Sequence, residues 1–222
     1  MKQFSVAIDG PAGAGKSTVA RKVADFFGFT YVDTGAMYRA IAWKALQDGV
    51  DINNEQAITA LAESLHFELD PKGIRVNNLQ LTDEIRTPQV STLASTVATM
   101  VGVRQVLVKK QQEIAQIQSV VMDGRDIGTH VLPQANLKIF LTASIEERAM
   151  RRYKELLHKG LTADLKTLQE EIRHRDENDQ NRVHAPLRQA EDAVLVDTTN
   201  RSLEQVVESI IQLCRHQMGV ME

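Results

Sequence analysis

A chain of 222 residues, 43% hydrophobic and 25% charged, has core enough for one or two globular domains. Its 26 Lys and Arg against 29 Asp and Glu leave a net charge of -3, with no block of basic residues, which argues against a nucleic-acid or anionic-membrane surface. The one cysteine, Cys214, excludes an internal disulfide, fits a reducing compartment and reads as helix packing rather than a reactive thiol.

Phe4 to Asp9 (FSVAID) reads as a buried strand, and a glycine-rich turn then opens a helix from Lys16 to Phe27 with Gly28 as its C-terminal cap. The first apolar run stops at Asp9, too short for a signal peptide, and nowhere do 18 apolar residues run together, so a cytoplasmic protein is expected. FTYVDT is a second strand, followed by a helix from about Ala36 to Asp48. SLHFELDPKGIRVNNLQLTD alternates apolar and polar residues around Asp70-Pro71-Lys72-Gly73 and Asn77-Asn78, the pattern of a small antiparallel meander. One helix follows around Gln89 to Met100, and another with Val103, Val106, Leu107, Ile114 and Ile117 on one face.

SVVMDG, LKIFLTA and AVLVDTT then resume the alternation of strand and helix, with capping boxes at Ser144 to Glu147 and Ser202 to Gln205. Five short apolar strands separated by helices imply an α/β fold with a five-stranded parallel sheet covered on both faces. The meander and the charged stretch 156–188 stand outside that sheet as insertions.

Gly10-Pro11-Ala12-Gly13-Ala14-Gly15-Lys16-Ser17, followed by Thr18, satisfies G-x-x-x-x-G-K-[ST] between a strand and a helix. Glycines let the backbone wrap phosphates, and the helix N-terminus adds positive potential. Lys16 reaches the β- and γ-phosphates and the Ser17 hydroxyl ligates Mg2+, so ATP or GTP is bound here. No N-K-x-D string is present to read guanine, and Gly124, not glutamate, follows Asp123 at the end of VVMD. Transfer to a bound acceptor is therefore favoured over hydrolysis. Open α/β sheets bind ligands beyond the strand C-termini, where this chain places Asp33 to Arg39 and Asp123 to Gly128. Arg39 and Arg125 at that edge suit a phosphate monoester better than a neutral hydroxyl.

The ordered set IDGPAGAGKST, DTGAMYRA, IRTPQVS, VRQVL, DGRDIGT and RDENDQNR resembles the bacterial cytidylate kinases, within the nucleoside monophosphate kinases, over essentially the whole chain. That resemblance implies a single three-layer P-loop domain over 1–222, with a monophosphate-binding insert at about 50–104 and a mobile lid at about 153–183. The reaction would be ATP plus CMP, or dCMP, giving ADP plus CDP or dCDP, in pyrimidine metabolism, with Mg2+ as cofactor. It places Arg39, Arg125 and Arg182 around the CMP phosphate, with Thr34 and Tyr38 lining that pocket. Arg175 and Asp179 fall at the ribose, and Ser95, Arg104 and Asp126 at cytosine. Arg148 and Arg152 fall where lid cations meet ATP.

A carboxylate at Asp126 suits the cytosine amino group and repels the uracil carbonyl, so adjacent Arg125 and Asp126 are expected to serve opposite ends of CMP. Asp33 and Asp123 are candidates to hold magnesium through water. No covalent phosphoenzyme is expected, and the enzyme is expected to act as a monomer without nucleic-acid or membrane partners. A small-molecule kinase of the shikimate type explains the P-loop but not the meander, and a nucleotide switch explains neither the arginines nor the missing N-K-x-D.

Overall fold

The computed structural model describes residues 3–70, 73–158 and 160–219. The first half contains β1 (Ser5–Asp9), α1 (Lys16–Phe27), β2 (Thr30–Asp33), α2 (Thr34–Asp48), α3 (Glu55–Ser64), β3 (Phe67–Asp70), β4 (Gly73–Val76) and β5 (Leu79–Leu81). Then come α4 (Pro88–Val97), α5 (Val101–Ile117), β6 (Val120–Gly124), β7 (Leu137–Thr142), α6 (Ile145–His158), α7 (Leu165–Gln180), β8 (Val194–Asp197) and α8 (Leu203–Met218). The five-stranded sheet has the order β2-β6-β1-β7-β8. Both β1 and β8 run parallel to β7, with Val6 opposite Leu137 and Val194 opposite Ile139. β6 is buried at every residue, as its unbroken apolar start requires of a strand covered on both faces.

The chain divides into two compact units, one holding Thr30–Val120 and the other Phe4–Phe29 with the chain from Val121 onward. In the first, α2 starts at Thr34, two residues before the position expected, because the Asp33 carboxylate caps it and accepts the Ala36 N–H at 2.7 Å. α3 has no counterpart in the sequence reading. Asn54 caps it through the Ala57 N–H at 3.1 Å, and Ile58 and Ala62, one turn apart, bury its inner face. The meander is antiparallel as expected, with Phe67 opposite Val76 and Ile74 opposite Leu81. Asn77 and Asn78 both take left-handed backbone (φ 47° and 68°), as a two-residue hairpin turn demands. The other expected turn, at Pro71-Lys72, lies outside the described residues. α4 stops at Val97, because Met100 turns extended to start α5.

In the second unit α1 runs over the expected span and ends at Gly28 in left-handed conformation (φ 68°). The α8 box is reciprocal: Gln205 N–H donates to Ser202 Oγ at 3.3 Å and Ser202 N–H to Gln205 Oε1 at 3.0 Å. The box expected at Ser144 forms by its forward bond, from Glu147 N–H to Ser144 Oγ at 3.1 Å. The Ser144 N–H goes instead to Thr199 Oγ1 at 3.1 Å, and Glu147 turns to Arg151. α6 and α7 pack through Ala149, Leu168 and Ile172. Cys214 is buried in α8, and burial pushes its thiol up to about 12, which leaves it inert at neutral pH. Among the described residues no single helix is long and apolar enough to cross a membrane.

Candidate active site

The β1 strand ends at buried Asp9, and Gly10 then leaves the sheet with φ 149°. A Cβ at Gly10 would overlap the Leu141 carbonyl oxygen, so glycine alone permits this path. Gly15, with φ 92°, heads α1 and supplies no side-chain cap, which leaves the first-turn N–H groups for an anion. Lys16 is buried and donates to the Pro11 carbonyl at 2.8 Å. Burial, then the neighbouring Arg125, pushes its ammonium down to about 7, although Asp123, Asp9 and Asp179 act the other way.

Ser17 Oγ donates to Asp123 Oδ2 at 3.0 Å. A hydroxyl and a carboxylate at this spacing are the hard oxygen donors that Mg2+ accepts beside substrate phosphates and water, so this pair fits the ion. Thr18 is exposed on the same first turn of α1. Asp33, the other expected magnesium residue, caps α2 and pairs with Arg39 at 3.1 Å and Arg86 at 4.0 Å.

The stretch after β6 turns sharply. Leu132 N–H reaches back five residues to the Ile127 carbonyl at 2.7 Å, closing a π turn over Ile127–Val131. Asp9 holds the start of this turn: Oδ1 accepts Ile127 N–H at 2.8 Å and Oδ2 accepts Gly128 N–H at 2.7 Å. Burial raises Asp9 to about 6 against those two bonds, and the charge of Asp126 adds to the rise. Arg125 and Asp126 have different surroundings. Arg125 Nε donates to Asp179 Oδ2 at 2.7 Å, whereas Asp126 is buried within electrostatic reach of Asp9.

On α7, Asp179 is only 2% exposed and also pairs closely with Arg182. Burial raises its pKa, but Arg125, Arg182 and, one turn away, the exposed Arg175 outweigh burial and hold the carboxyl below its ordinary value. Three expected acceptor residues, Arg125, Asp179 and Arg182, therefore form one cluster. In the Thr30–Val120 unit, Tyr38 and Arg104 meet, Arg104 Nη1 lying 3.4 Å from Tyr38 Oη. Arg104 is buried and also reaches the Ala98 carbonyl at 3.5 Å. Thr34 is buried at the start of α2 and Arg39 turns to Asp33. The Ser95 hydroxyl donates back to Ser91 O in its own helix at 3.2 Å.

On α6, Arg148 is buried and donates to Ala12 O in the P-loop at 3.0 Å, to Ala143 O at 3.0 Å and to Asp176 Oδ2 at 2.6 Å. Arg152 faces solvent in an ion pair with Glu155 at 3.0 Å. Arg151 also reaches the P-loop, donating to Ala14 O at 3.4 Å and to Thr198 Oγ1 at 3.0 Å. Asp176 and Asp9 are not marked by the sequence, and Arg151 is marked only as a neighbour of Arg148 on the helix. Arg151 had a signal, its three-residue spacing from Arg148, but Asp176 lies in a run of charges where solvation is the ordinary state.

The cytidylate kinase family model matches residues 6–216. The chain is 48% identical over 215 residues to a cytidylate kinase from Alkaliphilus oremlandii, covering 97% of this chain and 99% of that one. It is 51% identical over 218 residues to one from Shouchella clausii, covering 96% and 97%. In fold it is similar to a shikimate kinase from Acinetobacter baumannii, with TM-score 0.51 and 15% identity over 96% of this chain and 94% of that one. A gluconokinase from Sinorhizobium meliloti gives TM-score 0.50 and 16% identity over 98% and 95%. Those two likenesses concern the P-loop kinase architecture alone, whereas the agreement in sequence runs nearly end to end: the chain belongs to the cytidylate kinase family.

Proposed function

We propose that this kinase transfers the γ-phosphoryl group of ATP to CMP, and also to dCMP, releasing ADP with CDP or dCDP. The observation that carries the proposal is the family match over residues 6–216, in a chain whose P-loop holds Lys16 and whose Arg125 and Arg182 converge on one carboxylate. Lys16 and the N-terminus of α1 bind the ATP phosphates, with Gly10 to Thr18 wrapping them. Ser17, with Asp123 and Asp33 acting through water, would hold Mg2+, which would supply neutralisation of the phosphate charge. Arg39, Arg125 and Arg182 hold the CMP phosphate beside Thr34 and Tyr38, and Arg175 and Asp179 hold the ribose. Ser95, Arg104 and Asp126 read cytosine. The acceptor oxygen is already anionic near neutral pH, so positioning and charge neutralisation suffice, with no covalent intermediate.

Residues 50–104 serve as the monophosphate-binding insert and 153–183 as a lid that excludes water during transfer. Arg148 and Arg152 attend ATP, and an exposed pair such as Arg152–Glu155 contributes little and exchanges readily. The enzyme acts as a cytoplasmic monomer on small molecules.

Coupled ADP-release assays with ATP and Mg2+, offering CMP, dCMP, UMP, AMP or no acceptor, test the proposal. Rapid turnover confined to the cytidine nucleotides is expected, and release that ignores every acceptor would overturn it. In the same assay Asp126→Ala lowers kcat/KM for CMP more than for UMP. An equal loss for both would remove Asp126 as the base reader.

A further inference from the structure

Helix α7 carries two buried carboxylates three residues apart, each ending on an arginine from a different part of the chain. Asp176 Oδ2 accepts Arg148 Nη2 at 2.6 Å, while Asp179 Oδ2 accepts Arg125 Nε at 2.7 Å and its Oδ1 pairs with Arg182. Arg148 is a junction in its own right, because the same guanidinium donates to the Ala12 carbonyl of the P-loop and to Ala143 O. Asp176 is thus one side chain away from the loop that binds phosphate, and Asp179, less than one turn along the same helix, touches the arginines assigned to the acceptor phosphate.

Asp176 Oδ1 is buried and has no hydrogen-bond partner among the described residues. Stability alone explains such a half-satisfied pair poorly, since apolar replacements of buried ion pairs are often neutral or stabilising. The ion pair therefore ties α7 to Arg148 through one carboxylate oxygen and leaves the other without a bond among the described residues. Two residues three apart on an α-helix are separated by about 4.5 Å of rise along a stiff rod, so displacement at one carboxylate reaches the other. Packing of Leu168 and Ile172 against Ala149 keeps α7 seated on the helix that carries Arg148.

We propose that Asp176 is a positioning residue that couples the two nucleotide sites: through Arg148 it ties α7 to the P-loop, so that occupation of the P-loop resets Asp179 and frees Arg125 and Arg182 for the acceptor phosphate. The coupling rests on the transfer reaction proposed above and is reciprocal, CMP tightening the ATP site by the same factor.

Calorimetry of CMP binding to the full-length protein, with and without saturating AMP-PNP and Mg2+, measures the coupling directly and needs no turnover. The wild-type chain is expected to bind CMP about fivefold or more tightly when AMP-PNP is present. In Asp176→Asn that factor falls below about twofold, while the dissociation constant for CMP alone stays within about threefold of wild type. An unchanged factor in the variant, or no factor in the wild type, would overturn the proposal. Failure of CMP to bind the wild type at all would sink the transfer reaction and the coupling with it. Should Asp176→Asn lose its far-UV helical signal, Asp176→Glu keeps the charge but misplaces it by one methylene. It must show a factor below that of the wild type, and full coupling there would refute the role.

Discussion

Lys16 sits where burial and the like charge of Arg125 both disfavour its ammonium, and its pKa is pushed down to about 7 from the ordinary 10.5. Between those two values the unfolded chain holds a proton that the folded chain has released, so raising the pH through this window favours the folded state. Stability of the nucleotide-free wild type relative to Lys16→Met is therefore expected to rise from pH 7 to pH 10, as read from denaturant midpoints. A flat difference would show that the lysine stays charged. Turnover of Lys16→Met falls by about 10²–10³-fold or more, the usual loss when a donor to developing charge is removed. At this scale the sequence was legible where chemistry is local: Lys16 and Ser17 lie in one motif, and Asp123 ends a recognisable strand. Asp9 and Asp176 were not legible, because their partners, Ile127 and Arg148, are distant in sequence and meet them only in the folded chain.

Elements were readable to the extent that their own residues determine them. The α1 span and its Gly28 cap followed from periodicity and one glycine, and the meander from alternation and an Asn-Asn turn. α3 escaped notice because its buried face consists of little more than Ile58 and Ala62. The π turn over Ile127–Val131 has no local pattern at all; two backbone bonds to Asp9 impose it from outside. The boxes at Ser202 and Ser144 look alike in sequence, yet a tertiary acceptor, Thr199, takes the Ser144 N–H. Ser202→Ala is expected to lower unfolding free energy by about 1 kcal/mol in urea titrations. No change would mean that α8 is held by packing of Val206, Ile210 and Ile211 alone.

At the scale of the whole molecule, the chain divides into two compact units, one holding Thr30–Val120 and the other Phe4–Phe29 with the chain from Val121 onward. That division follows the chain, which leaves the second unit after Phe29 and re-enters it at Val121. Within the second unit Asp179 already occupies the two guanidinium groups assigned to the substrate phosphate. Asp179→Asn should therefore bind inorganic phosphate more tightly than the wild type, by about fivefold, since a charge-assisted bond exceeds a neutral one by roughly 1 kcal/mol. Calorimetry with phosphate checks this, and equal affinities would deny the competition. Asp179 thus stands where an anion bound by Arg125 and Arg182 would have to displace a carboxylate already there. Displacing that paired carboxylate weakens a ligand held by these two arginines alone more than one that is also gripped at further points.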